Sequence, residues 1–235
     1  MPHQKLKDAL LSVDWNANVA QFLQDTSAAS DIGQGSLKLA LWAKQFEICD
    51  KGNPALSFVR EMQSSGFHVA ALISLALYKP AAAAMRTIVE TSLYYTYFRT
   101  HPCELVTLIR NPKFRMDKAI LIEFHNEHTP EFKTLQSKLG LVGDLNDWYY
   151  KISAIIHGQI PGCWIEQRSL AEIRHAPSTL KVVIESFSQA VRIVHNMFLC
   201  TVGREMWKDF SSPVKGKLLA GLSGEIKTAL GLDSA

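Results

Sequence analysis

The chain has 235 residues, 47% of them hydrophobic and 20% charged, with a formal net charge of +3. That balance excludes a disordered chain, because enough apolar surface is present to offset the entropy of ordering. The small positive charge tolerates an RNA or DNA partner but falls short of the excess that marks a dedicated electrostatic binder.

The periodicity is helical nearly throughout, and the Asn-Gly and Asp-Gly signals of hairpins are missing. A first amphipathic helix is predicted over 2–23, with Leu6, Leu10, Val13 and Ala17 on one stripe. The small polar residues 27–35 read as a loop, and 36–48 as a second helix. Asn53-Pro54 carries the cap-plus-proline signature of a helix start, so a third helix is expected over 54–78, with Gly66 a weak point. Pro80 ends or kinks it, since proline lacks a donor and clashes with the preceding turn. The next helix is predicted over 81–98, with Ala81 to Ala84 allowing close approach of a neighbour.

Residues 103–140 are more charged and broken by prolines at 112 and 130, which predicts a peripheral helical insertion. Asp144 is the expected N-cap of a helix reaching His157, and Gly158 the left-handed stop. A rigid loop is expected over 160–165, a long helix over 177–207, and a C-terminal amphipathic helix within 213–235 whose leucines pack on the bundle. The sum is an all-α fold, a single helical domain over 1–235. Its four-helix core is expected from 54–78, 81–99, 144–158 and 177–207, with an N-terminal pair added.

Cys49, Cys103, Cys163 and Cys200 are scattered, without a C-x-x-C pair. They read as reduced thiols of a cytoplasmic protein and argue against a structural zinc site. The longest apolar stretch, 69–77, is too short to span a bilayer, so no membrane partner is expected. No cofactor is predicted, because nucleotide-binding glycine loops and metal-hydrolase spacings are missing. The pair His125 and His128, flanked by Glu123 and Glu127, has spacing that can bind metal, but a solvated helix end is the expected reading.

Two pairs of polar residues four apart interrupt apolar runs: Arg86 with Glu90, and Ser153 with His157. Each pair shares one helix face, and a charge in apolar surroundings is costly unless paired, so the two segments are expected to meet. Arg86 offers a fixed fork of donors suited to phosphate, and Glu90 would hold it. His157, at a helix C-terminus, is placed for acid–base work, with Ser153 orienting it. Tyr149, Tyr150 and Lys151 are candidate substrate-binding residues, the tyrosines by stacking or donating to phosphate. The alternative for the set is a structural polar network. A local basic patch, Lys113, Arg115 and Lys118, reads first as a solvated face.

The runs Tyr78-Lys-Pro-Ala-Ala-Ala-Ala-Met-Arg86-Thr-Ile-Val-Glu90 and Tyr149-Tyr150-Lys-Ile-Ser153-Ala-Ile-Ile-His157-Gly158 resemble the HEPN-like helical families of bacterial phage-defence and toxin loci. The resemblance covers 66–90 and 144–158. It implies a helical bundle, a homodimer, a partner protein from the same operon and, in active members, metal-independent cleavage of RNA. Active members carry arginine four to six residues before histidine on one helix. Here Lys151 stands six residues before His157, and the arginine comes from another helix. Two functions follow as expectations: a metal-independent endoribonuclease of an antiviral-defence or toxin system, or a catalytically inert subunit that mediates dimerisation or partner binding. A small-molecule or nucleotide-binding bundle is a third reading, with a pocket bordered by Trp148, Tyr149 and Trp164.

Overall fold

The computed structural model describes residues 1–164 and 167–232, and among these the chain forms helices and turns with no strand. The all-α class is as expected; several boundaries move, each for a local reason. The first predicted helix is two: α1 (Pro2–Leu11) and α2 (Trp15–Gln24). The Asp14 carboxylate accepts from Ala17 N at 2.8 Å and starts the second helix afresh. Leu6 and Leu10 consequently stay exposed, while Val13 in the break is buried. Asp25 repeats the device, accepting from Ala28 N at 2.9 Å, so the expected loop over 27–35 is instead the first half of α3 (Thr26–Cys49).

Asn53 initiates a lead-in turn rather than α4 (Leu56–Ser74) itself. Its side-chain oxygen accepts from Ala55 N, and its amide donates to Arg99 O at 2.9 Å. The helix ends in a left-handed Ala76, φ +60°, with Ala76 N bonded to Ile73 O and Leu77 N to Leu72 O. Pro80 then falls within the first turn of α5 (Tyr78–Phe98), where a missing N–H costs nothing.

Helices α3, α4, α5 and α10 (Pro177–Cys200) close the central ring, each packing on the next. The four-helix core is as expected, but one member differs, because α3 takes the place assigned to the segment before His157. Trp42, Phe46, Tyr95 and Phe198 fill the centre, with Phe46 and Phe198 rings 4.9 Å apart and nearly perpendicular. Arg60 pairs with Glu47 and Gly66 lies over Leu39, which sets α3 and α4 antiparallel with Gly66 as a contact surface.

Around this ring lie α6 (Pro102–Arg110), α7 (Lys118–His128) and α8 (Phe132–Lys138). Leu121, His125, Phe132 and Leu135 of this outer segment reach the core. His125 is therefore no solvated helix end. It is held between the Thr96 and Thr129 hydroxyls at 2.8 and 2.7 Å.

Helix α9 (Leu141–Ile156) is capped by left-handed Gly140, while Asp144, expected as the cap, pairs with Arg192. It lies in the groove between α5 and α10. The loop expected over 160–165 turns through Trp164, φ +58°; residues 165 and 166 lie outside the described residues. The predicted 177–207 helix stops at Cys200. A kinked Thr201 leads into α11 (Val202–Glu205) and a 3₁₀ turn over Trp207–Asp209. The C-terminal helix is likewise two short ones, α12 (Ser212–Leu219) and α13 (Gly224–Leu230). Their Leu218, Leu219 and Leu230 are buried on the bundle.

Candidate functional site

Helix α5 carries Arg86, Glu90 and Tyr94 at successive four-residue steps, so all three ride one stripe. Helix α9 answers with Tyr149, Ser153 and His157 at the same step. Because α9 packs on α5, the two stripes meet. Arg86 Nε donates to Glu90 Oε1 at 2.9 Å, and its Nη2 to the Tyr149 hydroxyl at 2.6 Å. The Tyr149 hydroxyl in turn donates to Glu90 Oε1 at 2.5 Å. Arg86 Nη1 lies 3.4 Å from His157 Nε2. Arginine has no acceptor, so this contact needs Nε2 unprotonated, with the ring proton on Nδ1.

Electrostatics keep the cluster poised. Burial, reinforced by the bond to the Glu90 carboxylate, pushes the Tyr149 phenol up to about 12, so it remains a donor. Burial disfavours the Arg86 charge, but Glu90 outweighs this and holds the guanidinium above its ordinary range. The pair is half-buried, with side-chain exposures of 26% and 32%, which leaves it reachable from solvent.

His157 is the C-cap of α9. Gly158 adopts φ +70°, with Gly158 N bonded to Ile155 O and Gln159 N to Ala154 O, the glycine-terminated stop expected from the sequence. This stop leaves the imidazole exposed at the helix end. Lys79 Nζ stands nearby, 3.7 Å from where a Cβ on Gly158 would be.

Of the residues singled out from sequence, Arg86, Glu90, Tyr149 and His157 converge. Ser153 lies on the same stripe, but its Oγ is buried without a hydrogen-bond partner and does not touch His157. Tyr150 is 78% exposed and points away. Lys151 lies on the opposite side of α9, in a depression shared with Asp144, Asp147 and Arg192. Tyr149 is bound into the cluster, with Arg86 Cζ 4.7 Å from its ring centroid and Lys118 Nζ 5.4 Å away. Trp148 and Tyr149 line different depressions.

Sequence reasoning left Arg115 and Lys118 on a solvated face. Both line a cleft of about 510 Å³ that opens beside Arg86, with Glu90, Tyr94, Asp117 and Tyr149 on its other walls. The available signal was the basic run 113–118, but nothing in it pointed at α5. Among the described residues, no three His, Cys, Asp or Glu side chains converge to hold a metal ion. No described helix is long and apolar enough to cross a membrane, and the four cysteines are free thiols. Compared with known protein families, characterised proteins and solved structures, the chain matches none.

Proposed function

We propose that the protein is a HEPN-like endoribonuclease of a bacterial antiviral-defence or toxin system, acting in the cytoplasm without a metal ion. The observation that carries this reading is the meeting of Arg86 and His157, 71 residues apart in sequence, at 3.4 Å on an accessible edge of α5 and α9. A ribose 2′-hydroxyl that displaces Arg86 Nη1 from His157 Nε2 gives up its proton to the imidazole as its oxygen attacks the adjacent phosphorus. Arg86, oriented by Glu90 and Tyr149, stabilises the charge that gathers on the phosphorane. The 5′-oxygen leaves with a proton from a second His157, contributed by a partner copy in a homodimer. The strand is broken into a cyclic phosphate and a free 5′-hydroxyl.

A second reading is favoured by a different observation. The Arg86 guanidinium already has Glu90, Tyr149 and His157 around it, as a purely structural network would require. On that reading the protein is an inert helical subunit that dimerises or binds a partner protein from the same operon.

Expression in a bacterial host, with RNA integrity followed, separates the two. Wild type should cleave RNA, and both Arg86→Ala and His157→Ala should lose cleavage by about a hundredfold or more, the scale of a lost acid–base group. Intact RNA under wild-type expression, matched by intact RNA with the purified protein, leaves the inert subunit standing.

A further inference from the structure

We infer that the cleft beside Arg86 is a nucleoside-phosphate pocket, with Arg115 and Lys118 gripping the phosphate and the half-buried Met116 and Tyr94 receiving the base over a floor closed by the buried Leu93 and Leu121. The placement relative to His157 rests on the ribonuclease reading; the pocket itself does not. Its walls come from elements distant in sequence. Leu93 and Tyr94 belong to α5, residues 115–117 to the turn before α7, Lys118 and Leu121 to α7, and Tyr149 to α9. The Tyr94 hydroxyl donates to Met116 O at 3.3 Å and pins that turn against α5.

Charge selects an anion. Glu90 is already answered by Arg86 and by the Tyr149 hydroxyl. Lys118 bonds the neutral amide of Asn146, and among the described residues neither Lys118 nor Arg115 forms an ion pair. Asp117 is the remaining acid of the lining, so two unpaired cations face one unpaired carboxylate. Shape and polarity select more than a bare phosphate. About 510 Å³ is within the range of small-ligand sites, and the apolar floor would be wasted on an inorganic ion. A phosphate at the rim with a flat heterocycle on the floor uses both halves. A base can enter only if unstacked, so a nucleotide within RNA must be single-stranded here, and its 3′-phosphate then runs past Arg86 toward His157.

The test is binding, read by fluorescence anisotropy of a labelled oligoadenylate at low ionic strength, with AMP, adenosine and inorganic phosphate as competitors. AMP should compete saturably, and adenosine and phosphate each about tenfold or more less well, because each fills half of the site. Lys118→Glu and Arg115→Glu, the first half-buried and the second exposed, should each weaken AMP about tenfold. Met116→Trp, which fills the floor, should do the same, while Lys113→Glu outside the cleft should stay within about twofold. Oligoadenylate binding about tenfold tighter than AMP assigns the source to an RNA strand, and equal affinity to a free nucleotide. Binding with these sensitivities but without cleavage in any form of the protein would retire the ribonuclease and keep the pocket. Phosphate competing as well as AMP, no saturable binding, or indifference to both Lys118→Glu and Met116→Trp overturns the inference.

Discussion

Glu90 Oε1 is the pivot of the polar cluster, accepting from both Arg86 Nε and the Tyr149 hydroxyl. Tyr149→Phe removes one donor to Glu90 and one acceptor from Arg86. In this half-exposed setting the loss should cost about 1–2 kcal/mol, measured as a lower urea midpoint. An unchanged midpoint would mean that water replaces the hydroxyl without loss. Two buried histidines set a second residue-scale expectation. The Thr96 hydroxyl donates to Leu93 O, so His125 Nε2 carries the proton that meets it, and Thr129 donates to Nδ1. Trp42 Nε1 donates to His195 Nδ1 in the same neutral sense. Burial holds His125 down at about 4 and His195 at about 3, against an ordinary 6.5. Both folded values are depressed for a base, so the unfolded chain binds more protons. Stability is then full above pH 6.5 and declines as pH falls through 6.5 toward 4. Thermal midpoints at neutral and mildly acid pH should show that decline, and His125→Gln should make it shallower while His195 keeps part of it. A flat profile in the wild type would count against both assignments.

At the scale of elements, side chains decide where helices break. Asp14 and Asp25 stop one helix and start the next, and a left-handed Ala76 turns α4 into α5. The break after α10 is different in kind, because Gly203 is pressed against the core. A Cβ there would stand 2.5 Å from the Trp42 ring and 2.6 Å from the Phe198 carbonyl. Gly203→Ala should therefore destabilise by about 2–3 kcal/mol, as overpacking against backbone does. A chemical-denaturation midpoint equal to wild type would show that α11 can simply slide away. The Gly158 stop was legible in the sequence, since capping chemistry is local, whereas Asn53-Pro54 marked the turn that leads into α4 and not its first residue. The helical character of 27–35 was not, because its small polar residues look like a loop until Asp25 caps them and Ile32 finds the core.

On the scale of the whole molecule, the proposed cleavage needs two copies, since one His157 accepts a proton and another returns one. Cleavage per chain should rise with protein concentration in step with the dimer fraction seen by sedimentation, and monomer activity at full strength would remove the second histidine from the scheme. What the sequence determined by itself was the all-α class, the Arg86–Glu90 pair, the stop at Gly158 and the expectation that two polar stripes would meet. These rest on periodicity and on contacts within one or two helical turns. Only the tertiary structure decided that α3 completes the central ring, that Tyr149 rather than Ser153 joins Arg86 to Glu90, and that Arg115 and Lys118 face the same cleft. Those outcomes depend on how α9 and the turn before α7 settle against α5, a choice made by burial of side chains from every element at once and written in no single stretch of chain.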